Sequence, residues 1–126
     1  MKNYIQPGSI LSAVAPTGGV LSGQGMLAGS IFGVAQFSAA QGEPVEIAVE
    51  GVFELTKVGS QAWTVGLQIY WDDTNKRCTS AYDAAHTLIG VAVAAVADGA
   101  NDTKGRVRLN GAFGVMSKAY IDAGDA

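Results

Sequence analysis

One cysteine, Cys78, and one histidine, His86, stand in the whole chain of 126 residues. A lone thiol excludes an internal disulfide and fits a reducing compartment. Without Cys or His pairs at ligand spacing, a zinc centre has no donors. Nucleophilic catalysis needs a base beside Ser, Thr or Cys. The one arrangement on offer is Cys78 with His86 and Asp83, residue types that in a small domain more often serve packing and surface. No catalytic residue, metal or cofactor is expected. Charge is also scarce, at 15% Asp, Glu, Lys and Arg with a net value of −3, so the basic face that nucleic acid requires is missing. Long apolar runs are missing too. "LIGVAVAAVA" at 88–97 is half the length of a membrane-spanning helix, and "MKNYIQPG" has no apolar run behind Lys2 to make a signal peptide. A protein without membrane contact, made inside a cell, is expected.

Aromatics are few as well, 8% against 48% hydrophobic residues overall. The apolar content is therefore mostly small and β-branched, a composition suited to close backbone packing or burial between subunits. Glycine is abundant, with 17 copies. In "SGQGMLAGS", Gly23, Gly25 and Gly29 have a spacing that can be read as part of a phosphate-binding loop. Such a loop must follow a buried strand and open a helix, and the flanks fit neither requirement. "GGVL" is too short for a central strand, and Gly29 and Gly33 would each cost a helix about 1 kcal/mol. These glycines are expected to serve turns and tight packing.

Turn residues recur every eight to twelve positions, with short β-type runs between them. That is the pattern of an all-β barrel or sandwich of short strands, with at most one or two short helical turns. The size is that of a single domain, residues 1–126, with a candidate binding arm at 1–8 and a C-terminal tail at 112–126. In "VEIAVEGVFEL", Val45, Ile47 and Val49 alternate with Glu46, Ala48 and Glu50. A change of phase is expected at Gly51, as at a bulge or barrel corner, putting Phe53 and Leu55 on the apolar face. "GLQIYWDDTNKRCTS" reads as a hairpin with Leu67, Ile69 and Trp71 on one face. "SAYD", Ser80 to Asp83, resembles a capping box, which would start one or two helical turns over Ala81–His86.

The chain also resembles itself. From Ile31 onward, Gly33, Val34, Ala35, Gly42, Gly51 and Phe53 match Gly90, Val91, Ala92, Gly99, Gly111 and Phe113. Ile47 and Val49 likewise match Val107 and Leu109. Two related hairpins would then pack about a pseudo-two-fold axis to close a small barrel. Their exposed faces differ in sign, with Glu46 and Glu50 in one copy and Arg106 and Arg108 in the other. These four are candidate charges for pairing within the barrel or across a subunit boundary. Two further clusters invite a ligand reading. "WDDTN" offers oxygen atoms but lacks the spacing of a calcium loop, so an Asp-rich hairpin turn is expected. Trp63, Tyr70 and Trp71 could stack on a sugar, but Trp71 is in phase with Leu67 and Ile69 and belongs to the core.

"MKNYIQPG", "FGVA", "GEPVEIAVEGVFEL", "IYWD", "LIGVAVAA" and "GRVRLNG" occur in an order and spacing that resemble a family of small phage and prophage proteins, the capsid cement or head-decoration proteins. The likeness runs over residues 1–111. It implies a β-rich, non-enzymatic protein that binds the major capsid protein on the outside of an expanded head, as a homo-oligomer and most simply a homotrimer. It also implies synthesis in the host bacterial cytoplasm and residence on the virion. It carries over no catalytic residues. From the residues themselves, the arm Lys2, Asn3, Tyr4, Ile5 and Gln6 is a candidate capsid contact. Pro7 biases Gln6 toward extended conformations, so the arm can add as a strand to an exposed edge of the coat. The alternative is a tail or adhesion-type module that recognises a glycan or protein.

Overall fold

A computed structural model describes residue 3 and residues 5–110. Among them are nine strands and no helix: β1 (Ile10–Val14), β2 (Gly25–Ala28), β3 (Ile31–Ala35), β4 (Pro44–Ala48), β5 (Glu50–Thr56), β6 (Gln68–Asp72), β7 (Arg77–Thr79), β8 (Thr87–Ala92) and β9 (Lys104–Asn110). They form a four-stranded sheet in the order β1-β4-β3-β2 and a five-stranded sheet in the order β5-β9-β8-β6-β7. The all-β expectation holds. The second sheet curls on itself, so that Lys57, just past β5, bridges Cys78 on β7.

The alternation in "VEIAVEGVFEL" builds β4 and β5, with one correction. Val45, Ile47 and Val49 are buried, Glu46 and Glu50 are exposed, and Leu55 is buried further on. Apart from the small Ala48, which is also buried, the inward positions stay odd-numbered, so no change of phase occurs at Gly51. The chain instead breaks at Val49, between the strands, and passes from one sheet to the other. A strand that switches sheets turns a corner without inserting a residue. Gly51 sits just beyond, at φ +119°, where a side chain would be strained.

The helical turns expected at Ala81–His86 do not form. Asp83 Oδ1 accepts from the Ala85 N–H at 2.8 Å, and the His86 N–H donates to the Asp83 carbonyl at 3.0 Å. The Ser80 N–H donates to Gln61 Oε1 at 2.8 Å, so the reciprocal bond of a capping box has no donor. The Asp side chain closes a local turn, as Asp does in competition with helix.

The self-similarity proves wider than two hairpins. β1 to β4 form a first unit and β5 to β9 a second. β1-β4-β3-β2 repeats strand for strand as β5-β9-β8-β6, with the short β7 added at the edge. The register repeats as well. Val34 opposite Ala48 and Ala35 opposite Ile47 correspond to Val91 opposite Arg108 and Ala92 opposite Val107. Leu11 opposite Ile47 corresponds to Phe53 opposite Val107. Even the loop bridge Val20 to Ala39 recurs, as Trp63 to Val96. The two hairpins therefore lie in separate sheets and do not jointly close one barrel.

Each unit encloses its own apolar cluster. The first gathers Met26, Ala35, Val45, Ile47 and Val49. The second gathers Leu55, Trp63, Ile69, Trp71, Ile89, Val107 and Leu109, and is joined by Phe32 and Val34 from β3. Phe32 meets Trp71 with ring centroids 5.0 Å apart, which ties the units together.

The glycine stretch is resolved by the same repeat. Gly23 turns at φ +83°, and its N–H donates to the Ala35 carbonyl at 2.8 Å. Gly66 does the same at φ +89° with the Ala92 carbonyl, also at 2.8 Å. A Cβ on Gly25 would lie 2.6 Å from the Phe32 ring. These glycines serve a turn and a close packing contact, and the segment continues as a strand.

Candidate docking surface

The reactive side chains are either buried or engaged in local turns. Cys78 is fully buried, and loss of hydration pushes its thiol up to about 12, leaving almost no thiolate at neutral pH. His86 Nδ1 lies 3.0 Å from the Ala81 carbonyl, and its Nε2 lies 3.9 Å from Asp72. Asp72 closes the β6–β7 turn. Its Oδ1 accepts from the Thr74 and Asn75 N–H groups, and its Oδ2 accepts from the Asn75 side chain at 2.7 Å. The Asn75 hydrogen bond leads the contacts that hold its carboxyl below the usual range. "WDDTN" is thus an Asp-capped hairpin turn. Trp63 and Trp71 are each 1% exposed, with their indole N–H groups donating to Gln61 and Asp73. Buried in this way, they offer no stacking platform to a sugar.

Lys57, the one buried charged side chain among the described residues, was passed over by sequence reasoning. It is 1% exposed, its ammonium donates to the Val58 and Asp102 carbonyls at 2.7 and 3.1 Å, and it lies 5.6 Å from the centre of the Trp63 ring. Burial lowers its pKa, and Asp102 partly opposes the shift. A signal was available, because Lys57 continues the inward series Phe53, Leu55. Its counterpart in the first unit is Ala15, also buried.

The four candidate interface charges fall on different sheets. Glu46 stands opposite Ser12 on the β1–β4 ladder. On the β5–β9 ladder, Glu50 stands opposite Asn110, Glu54 opposite Arg106 and Val52 opposite Arg108. Arg108 also faces Val91 on β8, so its direct neighbours across both ladders are apolar. Of the candidate arm, Asn3, Ile5 and Gln6 are exposed, with Ile5 at 86%. Lys2 and Tyr4 lie outside the described residues, as does the tail 112–126 together with the repeat partners Gly111 and Phe113. Gln6, Pro7 and Ser9 border an open cleft of about 410 Å³ shared with Ile10, Ser12 and Glu46.

The largest asymmetry between the units is electrostatic. No Asp, Glu, Lys, Arg or His stands between Lys2 and Glu43. Within that stretch lie Ile5, Ile10, Val14, Leu21, Ile31 and Phe37, six of the nine large apolar side chains exposed among the described residues. Leu21 and Phe37 flank the Val20–Ala39 bridge at the tip of the first unit. Their counterparts in the second unit are Thr64 and Ala94. A stretch of chain without charge that bears several exposed apolar side chains is a candidate interaction region, where apolar residues exposed singly are not.

Comparison with known proteins agrees with this reading of a contact-making protein. Phage cement proteins match the chain over residues 5–109. No curated protein and no solved structure shows significant similarity to it. The match spans both units and ends one residue short of the end of β9, so the chain belongs to the phage cement protein family.

Proposed function

We propose that this cement protein binds the major capsid protein on the outer surface of an expanded phage head, as a homo-oligomer and most simply a trimer. The observation that carries the reading is the uncharged stretch from residue 3 to residue 42, with its exposed Ile5, Ile10, Val14, Leu21 and Phe37. Such a surface gains by being covered, at about 25 cal/mol per Å² of apolar area removed from water. A cement protein has little chemistry to perform. It adds contacts across seams between coat subunits, and an oligomer seated over several subunits turns weak single contacts into a strong clamp. The arm, residues 1–8, is the first contact, laid as a strand along an edge of the coat. The exposed Leu21 and Phe37 supply apolar anchors at the tip. Glu46 of one copy pairs with Arg106 and Arg108 of the next, and the apolar neighbours of Arg108 favour a partner from outside its own ladder. Synthesis in the host cytoplasm and a non-enzymatic role complete the reading. The buried Cys78 and the Asp72 carboxylate, engaged in its turn, support it.

Deleting residues 2–6 tests the proposal. The truncated protein is expected to keep its fold and oligomeric state and to lose affinity for expanded heads in a co-sedimentation assay. Full head binding by the truncated protein would rule out the arm as the contact.

A further inference from the structure

β1 is an edge strand, and the residues opposite it fix which way its backbone points. The Val49 N–H donates to the Ser9 carbonyl at 2.9 Å, and the Ala15 N–H donates to the Glu43 carbonyl at 2.8 Å. In this antiparallel register the odd residues turn their backbone groups toward β4. The N–H and C=O groups of Ile10, Ser12 and Val14 therefore point outward, and among the described residues no strand pairs with them. Edge strands are usually guarded by charge, proline or a bulge. "ILSAV" has none of these, and Ile10 and Val14 are 46% and 62% exposed. The equivalent strand, β5, carries Glu50 and Glu54, and the chain just past its end bridges β7.

The duplication also points to what covers this edge. β5 follows β4 but does not pair in the unit it leaves. It crosses at Val49 and becomes an edge strand of the other unit, beside β9. Residues 111–117, "GAFGVMS", follow β9 in the same way and repeat the β5 pattern, with Gly111, Phe113 and Val115 at the positions of Gly51, Phe53 and Leu55. Within residues 1–126, the matching place in the first unit is held by β1. The segment is uncharged, like the edge it would meet. Ser9 and Asn110 stand at one corner of the fold, since Ser9 bonds Val49 and Asn110 stands opposite Glu50. A segment laid on its own β1 from that corner would run parallel, whereas every named strand pair here is antiparallel. A second copy permits the antiparallel arrangement.

We propose that residues 111–117 of one copy add as a strand to the outer edge of β1 in a second copy. This inference rests on the homo-oligomeric reading above and names the contact that makes the oligomer. The relation is head-to-tail, so it closes into a ring when the rotation between copies allows.

Ser12→Pro is a clean probe, because proline there removes only an outward N–H and leaves the β1–β4 ladder intact. Light scattering is expected to show an oligomer for the full chain. It is expected to show single chains, with an unchanged far-UV spectrum, for Ser12→Pro and for a chain ending at Asn110. If Ser12→Pro does not fold, hydrogen exchange decides with the shortened chain. A peptide of residues 111–120 added in trans should slow the Ile10, Ser12 and Val14 amides at least tenfold. A monomeric full chain, a shortened chain that stays oligomeric, or absence of protection by the peptide overturns the proposal. Head binding, measured in parallel on the full chain, separates the two readings. An oligomer that is lost in the variants but never binds heads refutes the capsid reading and leaves the strand exchange standing.

Discussion

Gly33 and Gly90 hold the same place in the two units, facing β4 and β9 respectively, and adding one methyl group at either should have unequal effects. A Cβ on Gly33 would meet the Ile47 side chain at 2.8 Å, whereas a Cβ on Gly90 would lie 1.9 Å from the Arg108 carbonyl oxygen. A side chain can rotate away in part, but a carbonyl in a ladder cannot. Relieving the Gly90 clash means moving β8 from β9 by about 1.5 Å, against a strand spacing of roughly 4.8 Å. That would break neighbouring ladder hydrogen bonds worth about 0.5–1.5 kcal/mol each. Overpacking of this kind typically costs about 1–3 kcal/mol and sometimes more. Gly90→Ala is therefore expected at about 3 kcal/mol or above, and Gly33→Ala at about 1–2 kcal/mol. In a domain of this size those values correspond to Tm losses of roughly 10–15 °C and roughly 4–8 °C. Urea denaturation at constant m-value, paired with a thermal melt, measures both. If Gly90→Ala matched the parent, or cost less than Gly33→Ala, close approach of the strands would not be the reason both units carry glycine there.

Two further outcomes follow from buried groups. Because burial depresses the pKa of Lys57, the unfolded chain holds the extra proton, so its contribution makes stability rise as pH climbs from the depressed folded value toward 10.5. Lys57→Met should remove that alkaline rise in a pH series of denaturant midpoints, and an unchanged rise would assign it to another group. Cys78, raised to about 12 and fully buried, should react with a thiol reagent only after denaturation. Labelling of the native protein within minutes would contradict its burial.

How much of this was legible in the sequence depended on how local the signal was. The alternation through β4 and β5, the β6–β7 hairpin and the inward Trp71 follow from period-two patterning, which each strand carries within itself. The repeat was visible only where both copies keep glycine beside small residues, at Gly33-Val34-Ala35 and Gly90-Val91-Ala92. It went unseen from β1 to β5 and from β2 to β6, because Leu11 became Phe53 and Ala13 became Leu55 under the same backbone register. Register is a property of the ladder, and sequence identity is a poor witness to it. Ala81–His86 looked helical because Ser80 and Asp83 stand three apart. Gln61, nineteen residues upstream of Ser80, took the N–H that the cap needed. The corner at Val49 was foreseen as a bend but misplaced at Gly51, since a strand that changes sheets keeps its alternation and leaves no mark in the pattern. The docking surface gave the least local signal of all. It consists of an absence of charge spread from residue 3 to residue 42, and only the fold shows which of the apolar side chains within it face outward.

That uncharged stretch has a consequence for the conditions under which the protein can hold on to anything. Contacts between charged faces weaken as salt shortens the screening length, to about 8 Å at physiological ionic strength and about 3 Å at 1 M. Apolar side chains that carry no charge have nothing to screen. Excluded salts such as sulfate strengthen apolar burial. Attachment through the apolar side chains of residues 3–42 would therefore survive dilution into fresh water and concentration into brine alike, while contacts made through Glu46 of the first unit and through Glu50, Glu54, Arg106 and Arg108 of the second would follow the salt.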